Sequence, residues 1–327
     1  MSKLGVVLPF HAFPGREIIE LAQEAEERGY DTAWAAEASG ADALTTLAVI
    51  ASHTSRLRVA TGVVPIQTRT PIVLAMAATT LGHLAPGRVA LGIGVSSPII
   101  VGQWHGLPFR KPLPHMRETV QVLRCALSGE RVNFEGEFYR IKNFRLSLPS
   151  TPVRVYLGAL GPRMLELAGE IADGVLLNWL APDTVAASIR HVEAGARRAG
   201  RSLADFEIAA FVRTCVTDDP APARQWLARE ITGYAIVDAY AAFFRSSGFT
   251  AEVDAINTAW KAGDRAGAVT RVSSRVLDGL GAIGPAQSCR ERIAEFAKAG
   301  LTMPVVMPFS PDAESRPALL RTIRSFP

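Results

Sequence analysis

The stretch Val153–Asn178 reads VRVYLGALGPRMLELAGEIADGVLLN and divides into three parts. Val153–Leu157 is a short apolar run, Pro162–Ile171 is a helical segment with proline at its first turn, and Gly174–Asn178 is apolar again. A short apolar run, one helix and a second apolar run make a parallel strand–helix–strand unit. Strands apolar along their whole length belong to a parallel sheet covered by helices.

The same unit repeats outward in both directions. Strands are predicted at Leu4–Leu8, Asp31–Ala36, Leu57–Val64, Val89–Ile93, Val153–Leu157, Gly174–Asn178, Phe206–Thr217 and Met303–Met307. Helices are predicted at Gly15–Arg28, Leu44–Ala51, Pro71–Leu84, His115–Leu127, Pro162–Ile171, Thr184–Ala199, Gln287–Ala299 and Leu319–Phe326. Eight strands, each followed by helix, predict a (β/α)8 TIM barrel. An open doubly wound sheet would want a glycine-rich fingerprint after the first strand. His11-Ala12-Phe13-Pro14-Gly15 stands there instead. Two segments interrupt the pattern. Residues 129–150 alternate apolar and charged residues like a hairpin, and residues 221–280 read as a long helical insertion, a lid or dimer element. With no linker to split it, the chain 1–327 is read as a single barrel domain.

Composition narrows the function. The 327 residues are 48% hydrophobic and carry a net charge of +4, with arginines scattered rather than clustered, which argues against a nucleic-acid partner. No apolar stretch approaches the length of a membrane span. Cys125, Cys215 and Cys289 lie far apart, as in a reduced cytoplasmic protein. No phosphate-binding loop, nucleophile elbow or His/Cys cluster at metal spacing occurs, so no metal is expected.

In such a barrel the residues just after each strand face the catalytic mouth. Here they include Pro9-Phe10-His11, Glu37-Ala38-Ser39, Gly62-Val63-Val64, Gly94-Val95-Ser96-Ser97, Ala159-Leu160-Gly161-Pro162, Asn178-Trp179 and Pro308-Phe309. This rim has one carboxylate, few cations and many small residues. It suits a flat, mostly apolar ligand whose chemistry is its own, a redox cofactor. His11 and His105, after strands one and four, and Trp179 are the candidate substrate contacts. Glu37 fits either a functional carboxylate or a salt bridge to a rim arginine. Gly158–Arg163, at a strand-to-helix junction, offers backbone N–H groups to an anion, or is a plain turn.

Tyr156–Asn178 resembles the luciferase-like monooxygenase superfamily, and most of all its deazaflavin (coenzyme F420) branch, which includes methylenetetrahydromethanopterin reductase. Supporting pieces are Gly29–Glu37, Thr61–Pro65, Leu91–Gly94, Arg117–Arg124, Gly129-Glu130 and Gly136–Tyr139. The resemblance implies a barrel of the bacterial luciferase type that transfers hydride between coenzyme F420 and a small organic substrate, with an FMN-dependent monooxygenase as the alternative. It implies Glu37 as an acidic group near the ring, Gly62 and Val63 as a bulge behind it with a cis peptide between them, Ala159, Leu160 and Gly161 as phosphate-side backbone, and Asn178 beside them. Arg163 is the expected contact for the acidic coenzyme tail, and Ser96 and Ser97 complete the cofactor rim. Ala38 stands where F420-dependent sugar-phosphate dehydrogenases have histidine, and Ser96-Ser97 where they have glutamate, so a different substrate is expected. The family also implies a homodimer, here through the helices around Ala43–Ala51 and Met76–Leu84.

Overall fold

A computed structural model describes residues 3–312 and 315–327. The first half runs β1 (Gly5–Val7), α1 (Glu17–Arg28), β2 (Thr32–Ala35), α2 (Ala43–His53), β3 (Arg58–Thr61), β4 (Val64–Pro65), α3 (Pro71–Leu84) and β5 (Val89–Gly94). A π-helical turn, Ile99–Trp104, precedes α4 (Pro112–Leu127), β6 (Val132–Glu135) and β7 (Arg140–Phe144). Then follow β8 (Arg154–Gly158), α5 (Pro162–Ile171), β9 (Gly174–Asn178), α6 (Pro182–Arg198) and β10 (Glu207–Val216). Five consecutive helices come next: α7 (Pro220–Ala235), α8 (Asp238–Ser246), α9 (Thr250–Lys261), α10 (Arg265–Thr270) and α11 (Ser274–Leu280). The chain closes with β11 (Gly281–Gly284), α12 (Ala286–Lys298), β12 (Met303–Pro308) and α13 (Arg316–Arg324).

Local chemistry sets the boundaries. Asp42 caps α2 by accepting from Thr45 N–H, and Thr70 caps α3 just ahead of Pro71. Gly29, at φ 91°, ends α1 in the left-handed conformation that glycine takes without penalty.

All the barrel strands are parallel. The ring runs β1–β2–β3–β5–β8–β9–β10–β12 and returns to β1 through Gly5 opposite Val305. The expected (β/α)8 barrel is therefore the fold, with each predicted strand within a residue or two of its place. The expected bulge with its cis peptide at Gly62–Val63 is present. The third barrel strand is broken: β3 pairs with β5 at Val59 and Ala60, and pairing resumes at Val64 and Pro65 in β4. Between them lies the cis peptide. One further detail was not anticipated: β11, in a stretch given no structure from sequence, pairs with β10 from Arg213 to Val216, past the point where β9 ends at Phe211. β6 and β7 form a separate antiparallel hairpin, whose far strand is largely exposed.

Two apolar layers hold the barrel. Outside it, side chains such as Ile18, Leu47, Leu74, Val155 and Ile208 pack between strands and helices. Inside, Trp34 meets Tyr156 and Phe211 edge to face, with centroids 5.8 and 5.9 Å away. The N-terminal end is closed by charge. Arg58 donates through both terminal nitrogens to Glu207, each at 3.0 Å, and also to the Tyr156 hydroxyl at 3.0 Å. Tyr156 in turn donates to Glu207, and Lys3 donates at 2.5 Å. Burial pushes the Glu207 carboxyl up, but these donors outweigh it and hold it at about 2.

Removing one partner of a buried ion pair strands the other charge. Glu207→Gln is therefore expected to cost about 3–5 kcal/mol at neutral pH, read from the urea midpoint. A carboxyl depressed in the folded state stabilises above its unfolded value of about 4.3 and loses that stabilisation as pH falls toward 2. The wild-type advantage over the variant should be complete at pH 7 and shrink below about pH 4. A gap independent of pH would show that Glu207 does not bear this charge in the fold.

Candidate active site

Inward-facing residues recur at every second position of each strand, so the residue two steps above the aromatic layer lines the C-terminal mouth. On β10 the series is Glu207, Ala209, Phe211, Arg213, and on β9 it is Gly174, Leu176, Asn178. On β5 and β8 the upper positions are Gly94 and Gly158.

Those glycines make room for Val63. A Cβ on Gly94 would fall 2.4 Å from Val63 Cγ2, and one on Gly158 would fall 3.0 Å from Val63 Cγ1. Gly62 is equally constrained, since a Cβ there would lie 2.6 Å from the Phe211 ring. Val63 thus forms a seated, half-buried apolar shelf on the β3–β5–β8 side of the mouth. Next to it, α5 starts at Gly161, which has no side-chain cap and open space at its Cα; the positive end of a ten-residue helix dipole emerges there. Ala159 is buried and Arg163 exposed.

The adjoining side, on β9 and β10, is aromatic and polar. Arg213 is 3% exposed. Its guanidinium lies 3.6 Å from the Trp179 ring centroid and 5.9 Å from that of Tyr234, and it donates to the Asn178 side-chain oxygen. Asn178 donates weakly to Tyr240 at 3.5 Å. The insertion brings Tyr234 from α7 and Tyr240 from α8 over this side, where they meet edge to face. Burial pushes the Tyr240 phenol up to about 12, so it stays neutral. Burial also lowers the Arg213 pKa from its usual range, against weaker support from Tyr234, Tyr240 and Glu230.

The structure distributes the sequence candidates unevenly. Gly62, Val63, Ala159, Leu160 and Gly161 gather around the shelf and the start of α5, and Asn178 and Trp179 join through Arg213. Ser97 accepts from Ile100 N–H at the head of the π-helical turn, and Ser96 precedes it at φ 57°. His11 and His105 are exposed on the loops after β1 and after that turn. Glu37 is paired: it forms a salt bridge with Arg69, which also holds Asp42, and it accepts from Ala43 N–H at 3.1 Å. The salt bridge to a rim arginine is thus formed.

Arg213, Tyr234, Tyr240 and Arg69 escaped the sequence reading. A signal for Arg213 existed. It is a lone cation inside Phe206–Thr217, where a strand covered on both faces should be apolar, and its spacing from Phe211 turns it inward.

Residues 2–303 match the family model for luciferase-like monooxygenases. A protein of Mycobacterium tuberculosis classed as a coenzyme F420-dependent oxidoreductase is 35% identical, over 93% of this chain and 94% of its own. The 5,10-methylenetetrahydromethanopterin reductase of Methanolobus tindarius is 29% identical, over 92% and 93%. Among solved structures, the coenzyme F420-dependent tetrahydromethanopterin reductase from Methanopyrus kandleri is similar with a TM-score of 0.82 at 26% identity, over 100% of this chain and 99% of that one.

Glu37→Gln keeps an oxygen for Ala43 N–H but removes the charge facing Arg69. The expected result is a loss of about 1 kcal/mol in urea unfolding, shrinking at high salt as screening weakens the wild-type pair. An unchanged midpoint would withdraw the structural role and return Glu37 to the ligand.

Proposed function

The chain belongs to the luciferase-like monooxygenase family, and from that premise we propose that it is an oxidoreductase transferring hydride between coenzyme F420 and a small organic substrate at the C-terminal mouth of the barrel. The Val63 shelf is the observation that carries this reading. It is an apolar surface without ionisable groups, held in shape by Gly62, Gly94 and Gly158, and it fits the face of a planar ring. The deazaflavin supplies a ring carbon that gives or takes hydride. Everything else is the protein's work of placing ring and substrate face to face.

In this reading Gly62 and Val63 lie behind the ring, and Ser96 and Ser97 flank it at the end of β5. Of the expected Ala159, Leu160 and Gly161, the Ala159 N–H is bonded to the Leu176 carbonyl at 3.2 Å, so the Leu160 and Gly161 backbone at the start of α5 receives the phosphate, where the helix dipole favours an anion. Arg163 meets the acidic tail where it leaves the protein. Asn178, at the end of β9 next to β8, stands between the phosphate side of the cofactor and Arg213, while Trp179 and the roof formed by α7 and α8 bound the substrate side and exclude water, and His11 and His105 guard its entrance. Buried free Cys215 and Cys289 accord with a reducing, cytoplasmic setting. Among the described residues, no helix is long and apolar enough to cross a membrane.

The proposal extends to a homodimer. Val49 on α2 and Val73, Met76 and Leu84 on α3 are apolar side chains 37–51% exposed on two helices that pack together. Met76→Glu should give a monomer mass by light scattering where the wild type gives a dimer; a monomeric wild type would end this part of the reading.

Equilibrium titrations followed by cofactor fluorescence test the cofactor. Coenzyme F420 should bind more tightly than FMN. Its affinity should fall with added salt, and by up to about five-fold in Arg163→Ala, because an exposed charge contact is worth only about 0.2–1 kcal/mol. FMN binding as tightly as coenzyme F420 would favour a monooxygenase instead.

A further inference from the structure

Arg213 is almost wholly buried, yet among the described residues no carboxylate pairs with it. Arg58, another deeply placed arginine, is matched by Glu207. Arg213 has one amide oxygen, from Asn178, a hydrogen-bonding contact with the Tyr234 side chain, and an aromatic face, Trp179, all of them neutral. Its Nε is buried without a partner. Glu230, one turn before Tyr234 on α7, acts on it only from longer range. A buried cation without a counter-charge is costly, and an unpaired donor adds to that cost. A site that keeps such a group is preorganised for an anion it has yet to receive.

Resting on the reading of the mouth as the active site, we propose that Arg213 receives the carboxylate of a small, flat organic acid, the substrate, between the rings of Trp179, Tyr234 and Tyr240. The guanidinium fork matches two coplanar oxygens. The walls are aromatic and suit a planar, mostly apolar body. One cation with no second beside it balances a single negative charge, which favours a carboxylate over a phosphate dianion. The position separates this group from the cofactor. Arg213 stands on β10, between β9 and β12, whereas the Val63 shelf and the start of α5 belong to the β3–β5–β8 side. An acid anchored at Arg213 would extend across the mouth toward the shelf.

The test uses full-length protein, with and without deazaflavin, and benzoate, benzamide and inorganic phosphate as probes. Binding is followed by calorimetry and by tryptophan fluorescence, which Trp179 beneath the guanidinium should report. Benzoate should bind saturably, and at least tenfold more tightly than benzamide or phosphate. Arg213→Gln should weaken it by at least tenfold. Asn178→Asp should do the same by supplying an internal counter-charge, and should also raise the melting temperature, which a loss of fold could not do. Equal binding of benzoate and benzamide, tighter binding of phosphate, benzoate affinity unchanged in Asn178→Asp, or no saturable benzoate binding would each overturn the inference. So would competition between benzoate and the deazaflavin, which would place the ring itself on Arg213. If benzoate binds as expected and the deazaflavin does not, the anion site stands and the cofactor reading falls; the reverse result removes the anion site alone.

Discussion

The two charges on β10 govern what this barrel can do. A closed parallel barrel turns alternate side chains into one interior, and whatever polar group the register places there must be satisfied or used. Glu207 enters at the N-terminal end, where Arg58, Tyr156 and Lys3 meet it with a near-complete set of donors. That end is thereby sealed, and strands β3, β8 and β10 are tied across the interior. Six residues on, with the same orientation, Arg213 meets one amide and several aromatic rings. The same strand is thus anchored at one end and left chemically open at the other.

Between these ends the interior is narrow and aromatic, and its upper boundary is set by missing side chains. Trp34, Tyr156 and Phe211 fill the middle. Above them Gly62, Gly94 and Gly158 allow Val63 to sit where any larger set would collide. The shelf is therefore a consequence of packing. Gly94 and Gly158 give up a Cβ so that one β-branched side chain can present a smooth face to the mouth, and Gly62 gives one up to the Phe211 ring beneath. Glu37 fits the same economy, since Arg69 ties it to the α2 cap at Asp42 and leaves the shelf free of charge.

The barrel was legible in the sequence because its strands are apolar along their whole length and its helices begin and end at proline, threonine, aspartate and glycine. The Gly62–Val63 break was legible only through family resemblance, since nothing in Thr61-Gly62-Val63 by itself separates a bulge from a strand end. β11 was not legible at all. Gly281-Ala282-Ile283-Gly284 is too short and too rich in glycine to read as a strand, and it forms because β10 outruns β9 and leaves an edge to be paired. The substrate side stayed hidden for a different reason. Asn178 and Trp179 are adjacent in sequence, but Arg213, Tyr234 and Tyr240 come from other elements, and only the tertiary fold joins them.

That joining depends on where the insertion enters the chain. Helices α7 to α11 follow β10 and precede β12, so they begin at the C-terminal end of the strand that bears Arg213. Their apolar faces pack around Trp179, Cys215 and Phe309, forming a second core above the mouth that is distinct from the barrel's own. Trp226 on α7 stacks on Phe309 just past β12, and Tyr234, two turns further along α7, reaches back over Trp179. The roof is thus fixed to both strands that flank the opening on that side. Because this second core is apolar, it can bury Arg213 but cannot neutralise it. The fold therefore removes the guanidinium from water while leaving its charge for a ligand to meet.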